Sequence, residues 1–232
     1  MLKRIAFCAS MIAAPVAADT DDFVEANLLS IFYHELGHAL IDILKLPVFG
    51  QEEDAADVAS ILLIDAFFEE EYAVSIAYDA AFGFLGEAHA AGSDIAWWDV
   101  HGPDLQRYYN LVCLFVGADM DARSDMIEDL ELPEERQDSC EEEFDLANSS
   151  WGPVFDEIEG SGTSIRYTGG TSSLTEQIIS EEVAALNQNF RLPQTLKVTV
   201  EDCGEANAYY DLERAEITIC SEFEGWLREI AP

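Results

Sequence analysis

The chain has 232 residues, 49% hydrophobic and 11% aromatic, with 11 Lys and Arg against 47 Asp and Glu and a formal net charge of −36. That length carries one substantial core; the charge disfavours nucleic acid and anionic membrane surfaces as partners, and no apolar run reaches the ~20 residues a membrane-spanning helix needs. A strongly negative field favours cationic ligands, whether divalent metals or basic peptides, and equally suits solubility in a salty exterior.

Residues 1–18, MLKRIAFCASMIAAPVAA, read as a secretory signal, with Lys3 and Arg4 as the basic end, an apolar stretch over 5–14 and a small-residue cleavage site at Val16-Ala17-Ala18. The product is expected to be exported, periplasmic or secreted, and Cys8 leaves with the signal. The remaining 19–232 is expected to form a single domain, helical over 19–160, with a strand-containing part over 173–232 that packs back onto it. The cysteines of the mature chain, Cys113, Cys140, Cys203 and Cys220, are even in number, which in an exported protein points to two disulfides.

Asp21 or Asp22 can cap a helix over 23–45, whose apolar residues Val24, Leu28, Ile31, Phe32, Leu36, Ala39, Leu40 and Ile43 recur at helical spacing until Leu46-Pro47 stops it. Further helices are predicted over 52–70 and 73–90. After the loop GSDIAWWDVHGP another helix covers DLQRYYNLVCLFVG and ends at Gly117. The acidic stretch ADMDARSDMIEDLELPEERQ lacks the glycine of an EF-hand loop and reads as loop and short helix without calcium. A helix over 136–147 is expected to close in the turn NSSWGP, and GSGTSIRYTGGTSS to serve as a linker. Glu69-Glu70-Glu71 and Glu141-Glu142-Glu143 read as solvated faces.

Ser173-Leu174-Thr175-Glu176 is a capping box that opens a helix to about residue 190. Three β-rich runs follow at 196–200, 206–210 and 216–220, separated by turn signals. They are expected to make a small twisted antiparallel sheet packed on the first helix. Cys203 and Cys220 flank that hairpin and so fall within bonding distance, which leaves Cys113 to pair with Cys140. The fold class is therefore α+β, mostly helical with a small C-terminal sheet.

Chemistry concentrates in HELGH. Residues four apart on a helix share a face, so His34 and His38 can offer two imidazoles to one metal, while Glu35 points at a water beside it. With four histidines in the chain, this spacing followed by Glu arises in about half a percent of shuffles. A catalytic zinc wants a third protein ligand and an open position. In GQEEDAADVAS, Glu53 can serve as that ligand and Asp57, four residues on, can accept a hydrogen bond from the outer nitrogen of a ligand histidine. Glu52 and Asp54 are expected to point into solvent.

HELGH with the downstream Glu53-x-x-x-Asp57 resembles the gluzincin pattern of thermolysin-like peptidases. HELGHALID…LPVFGQEEDAAD, HGPDLQRYYNLVCLFVG and CGEANAYYD…ITIC together resemble a family of uncharacterised bacterial proteins regarded as metallopeptidases. The likeness spans most of the mature chain and implies a zincin-like fold binding one zinc ion. In zincins the sheet and an Asn-Ala-aromatic hairpin precede the HExxH helix; here Asn207-Ala208-Tyr209-Tyr210 follows it, so the order looks circularly permuted.

The expected activity is that of an exported zinc-dependent metallopeptidase with Glu35 as general base, acting on a peptide or protein substrate that the charge suggests is basic. For the developing oxyanion His101, Tyr209, Tyr210 and Arg107 are all candidates, while His89 reads as a surface residue. Two other readings remain: a silent zinc-containing binding protein, which has no use for Glu35, and a zinc amidase acting on cell-wall peptides.

Overall fold

Helix α1 (Thr20–Leu44) is buried on nearly every side, in the computed structural model that describes residues 20–232. The signal expected at 1–18 lies outside the described residues. Beyond the apolar stripe legible in sequence, Asn27, Ser30, Tyr33, His34 and Glu35 of α1 are also buried. A helix enclosed this fully must be covered from several directions. Helices α2 (Glu52–Phe67), α3 (Glu70–Ala91), α8 (Leu174–Asn189) and α9 (Phe223–Ile230) do this together with strands β3 (Ala208–Asp211) and β4 (Glu216–Cys220). Around them stand α4 (Asp104–Ala118), the short α5 (Ser124–Asp129) and α6 (Glu134–Gln137), α7 (Cys140–Ile158), β1 (Ile165–Tyr167) and β2 (Leu196–Glu201).

Two glycines let helices meet backbone to backbone. A Cβ on Gly37 would stand 3.0 Å from the Ala56 Cα and 3.2 Å from the Ala59 Cβ, so the bare backbone there lets α2 lie against the HELGH turn. Gly117 of α4 meets the carbonyl of Cys140 at the start of α7, where any side chain would collide. The Cys113–Cys140 disulfide joins the same two helices, with a Cα separation of 5.0 Å.

The structure is mostly helical with a four-stranded sheet, an α+β fold, but the sheet is mixed rather than antiparallel. Its order is β1-β2-β4-β3, with β1 and β4 both parallel to β2 and only β3 antiparallel to β4. The reason lies in the connections. β1–α8–β2 is a helical crossover, which demands parallel pairing. The segment between β2 and β3 is not a tight turn; it passes the end of β4, where Cys203 bonds to Cys220, and leaves room for β4 to insert between the two.

Three other expectations change. The Gly/Ser/Thr segment is not a plain linker, because Ile165 within it is buried in β1 and its N–H and C=O are both taken by the Asn187 amide of α8. NSSWGP is not a turn: α7 runs through it with Pro153 inside. A proline there costs about 3 kcal/mol, but Trp151, Phe155 and Ile158 continue one apolar face, with Trp151 stacked 5.7 Å from Phe155 and Ile158 fully enclosed. Finally, α9 was not foreseen, although Phe223, Trp226, Leu227 and Ile230 follow helical spacing. The Ser173 capping box is formed in both directions. No described helix is long and apolar enough to cross a membrane.

Because α8, α9, β3 and β4 cover α1, a chain ended at Gly160 should expose that helix. We expect it to be insoluble or to lose the sharp thermal transition of the full chain. A fragment melting cooperatively near the full-length Tm would show that the two parts fold independently.

Candidate metal centre

Helical spacing puts His34 and His38 on one face of α1, and the turn after Leu44 returns the chain so that α2 begins beside them. The Nε2 atoms of the two histidines are 3.2 Å apart, and Glu53 Oε2 lies 3.2 Å from His34 Nε2 and 3.1 Å from His38 Nε2. Donors about 2.0–2.1 Å from a tetrahedral ion stand about 3.3 Å from one another. The three atoms therefore already have the spacing of one face of such a site, and a His, His, Glu donor set suits zinc.

Each histidine is fixed from behind. His34 Nδ1 is 2.7 Å from Asp57 Oδ1, and His38 Nδ1 is 2.9 Å from Glu52 Oε1. These carboxylates hold the Nδ1 protons and so turn the Nε2 lone pairs towards the centre. Asp57 is itself gripped by Arg107 of α4, whose Nε and Nη2 donate at 2.8 and 2.7 Å, and Arg107 lies over the Phe84 ring at 4.5 Å. Glu52 is exposed, as expected, but its carboxylate is not idle: it supports the second histidine. A two-histidine site needs two outer acceptors, and that requirement was the available signal for Glu52. Asp54 is exposed, as expected.

His101, from the loop between α3 and α4, comes to the same place. Its Nε2 is 2.8 Å from Glu53 Oε2 while its Nδ1 is 3.4 Å from Asp99 Oδ1, an acceptor not foreseen in sequence. The other oxyanion candidates are engaged with carboxylates or turned to solvent. Ala208 and Tyr210 share one face of β3, where Tyr210 donates to Asp42 of α1 at 2.8 Å, so Tyr209 turns the opposite way and is exposed. Arg107 is occupied with Asp57. His89 is exposed near the end of α3.

The cluster opens onto a cleft of about 800 Å³, lined by His34, Glu35 and His101 and, on another side, by Ala206, Asn207 and Ala208 at the start of β3. Glu35 is buried beside the histidines; burial and the Glu53 charge push its carboxyl pKa up while His34, His38 and His101 pull it down, with a net rise. Hydrogen bonds to His101, His34 and His38 hold Glu53 far below the usual carboxylate range. Burial opposes ionisation of Asp57, but Arg107 and His34 outweigh it and lower its pKa. Burial likewise opposes a charge on His34, yet its hydrogen bonds to Asp57 and Glu53 prevail and raise its pKa to about 9. The surroundings favour a cation, whether a proton or a metal.

A family model described as "Putative metallopeptidase" matches residues 7–154 and 163–230, nearly the whole chain, and the chain belongs to that family. Neither the curated proteins nor the solved structures compared with it include a match.

Replacing His34, His38 or Glu53 with Ala should each abolish stoichiometric metal uptake, measured by metal analysis after gel filtration. Asp57→Asn and Glu52→Gln should weaken affinity by about 10–100-fold without removing a donor; wild-type affinity in the Glu52 variant would mean His38 needs no support. Since the metal-free His34 titrates near 9, metal entry at pH 7 must expel a proton, and affinity should fall as pH drops. Calorimetry in buffers of different ionisation enthalpy reads this directly, and no buffer dependence would refute it.

Proposed function

As a member of that family the chain is expected to act on peptide bonds, and we propose that it is an exported zinc-dependent metallopeptidase of gluzincin type. One zinc would be held by His34, His38 and Glu53, with Glu35 as general base. The observation that carries the reading is a single juxtaposition: three donor atoms at tetrahedral spacing, with a further carboxylate buried beside them and lining the same cleft.

When bound, zinc supplies a Lewis acid that polarises the scissile carbonyl and makes water a better nucleophile near neutral pH. Glu35 removes a proton from the attacking water and delivers it to the leaving nitrogen. A carboxyl whose pKa burial has raised is suited to both steps. Asp57 and Glu52 keep the imidazoles oriented throughout. Of the donors considered for the oxyanion, His101 is the one whose ring stands at the cluster, and we assign it that role in place of Tyr209, worth roughly 3 kcal/mol in the transition state.

Substrate would lie extended along β3, the sheet edge whose first residue, Ala208, lines the cleft with the two residues before it, pairing backbone to backbone. We read the element order, with the HExxH helix before the sheet, as a permutation of the zincin arrangement. Export is supported by two disulfides, which persist in oxidising compartments, and by the signal-like residues 1–18.

Glu35→Gln should keep the metal content and thermal stability of the wild type yet hydrolyse a peptide library at least about 100-fold more slowly. Chelation should silence the wild type, and zinc should restore it. Equal turnover by both proteins would sink the assignment of Glu35. Cleavage confined to cell-wall peptides would make the enzyme an amidase.

A further inference from the structure

Two chain segments next to residues that line the cleft carry exposed apolar side chains that the reaction does not use. Phe49, in the turn between α1 and α2, is 98% exposed; Trp97, Trp98 and Val100, in the loop between α3 and α4, are 77%, 85% and 62% exposed. These two segments flank the metal cluster. Gln51, Glu52 and Glu53 from one and Asp99 and Val100 from the other line a shared hollow of about 270 Å³. Large apolar residues left this exposed on two segments that meet at one hollow mark a contact site for a partner.

Inside the rim the walls are acidic. Asp54, Glu87, Asp94, Asp99 and Asp104 line the main cleft, and Arg107, the one arginine among its described lining residues, is bound to Asp57. Burial raises the pKa of Glu87 and Asp104, and the charge of Asp104 adds to the rise at Glu87, while Arg107 and His101 offset it only in part. A cation arriving between these carboxylates would relieve that repulsion.

We infer that the substrate is a cationic amphipathic peptide, with basic side chains directed at Glu87, Asp94 and Asp104 and bulky apolar side chains seated on Phe49, Trp97 and Trp98. This rests on the peptidase reading and names its substrate class. Charge complementarity selects the occupant: an acidic peptide meets repulsion from the cleft's carboxylates, and an anionic lipid surface meets the −36 charge of the whole chain. Aromatic side chains with little rotational freedom suit the contact.

The test uses zinc-loaded Glu35→Gln protein, which binds without cleaving, and three labelled peptides of equal length: Lys with Leu and Phe, Glu with Leu and Phe, and Lys with Ser. Fluorescence anisotropy should show the first bound at least about tenfold more tightly than either of the others. The exposed pair Trp97→Ser/Trp98→Ser should remove most of that preference over the Lys/Ser peptide, and Asp94→Asn/Asp104→Asn most of the preference over the Glu peptide. Equal binding of the acidic peptide, indifference to the Trp replacements, or Trp-dependent binding to phosphatidylcholine vesicles in place of peptide would each overturn the inference. Wild-type hydrolysis separates the two claims. Cleavage regardless of peptide charge leaves the peptidase standing and this inference refuted. Ordered binding without any cleavage does the reverse.

Discussion

The contact between α1 and α2 at Gly37 governs the rest, because a pair of histidines on one helix supplies only one edge of a metal site. The third donor must come from a second helix close enough for a glutamate to reach across. With no side chain at Gly37, α2 lies within 3.0 Å of where a Cβ would stand, and Glu53 falls between the two Nε2 atoms. Asp57, one helical turn further on, then reaches His34, and through Arg107 it ties in α4. Three helices are thus placed by one close approach and one chain of charged hydrogen bonds.

That chain has a cost. Buried ions lose hydration, and the loss is recovered only where each is paired with good geometry. Around the cluster stand the carboxylates of Glu35, Glu52, Glu53, Asp57 and Asp99, and the only guanidinium among the contacts described is that of Arg107. The imbalance is in the sense that suits a divalent cation. Without one, protons must compensate, which is why His34 stays protonated well above its ordinary range. Such an assembly does little for stability, so the fold leans on apolar burial elsewhere: Phe23, Phe32, Leu36 and Leu40 of α1, Leu63 and Ile64 of α2, and Ile217 and Ile219 of β4.

The C-terminal half has two duties. It covers α1, with Tyr33 donating to Glu182 of α8 and Tyr210 to Asp42, so the helix that carries the two histidines is clamped from more than one side. It also brings the start of an edge strand to the cleft. The disulfides sit outside the cluster, one between α4 and α7 and the other at the end of β4. They brace the frame and leave the donor atoms alone.

Much of this was legible in the residues themselves. His34 and His38 share a face, with Glu35 beside them, because α-helical geometry is local, and Glu53 and Asp57 follow the same rule on α2. Most helices and the three C-terminal strands could be placed for the same reason, since capping, proline stops and periodicity act within a few residues. What only tertiary structure decided is everything set by contacts between distant segments. Pro153 sits inside a helix because buried Trp151 and Ile158 outweigh a local breaker, and Ile165 is a strand because Asn187 and β2 hold it there. The parallel pairing of β2 and β4 depends on which strand inserts where. Glu52 and His101 reach the cluster, and Tyr209 is exposed, because the direction of a side chain on a turn, loop or edge strand follows from packing across the fold rather than from spacing along the chain.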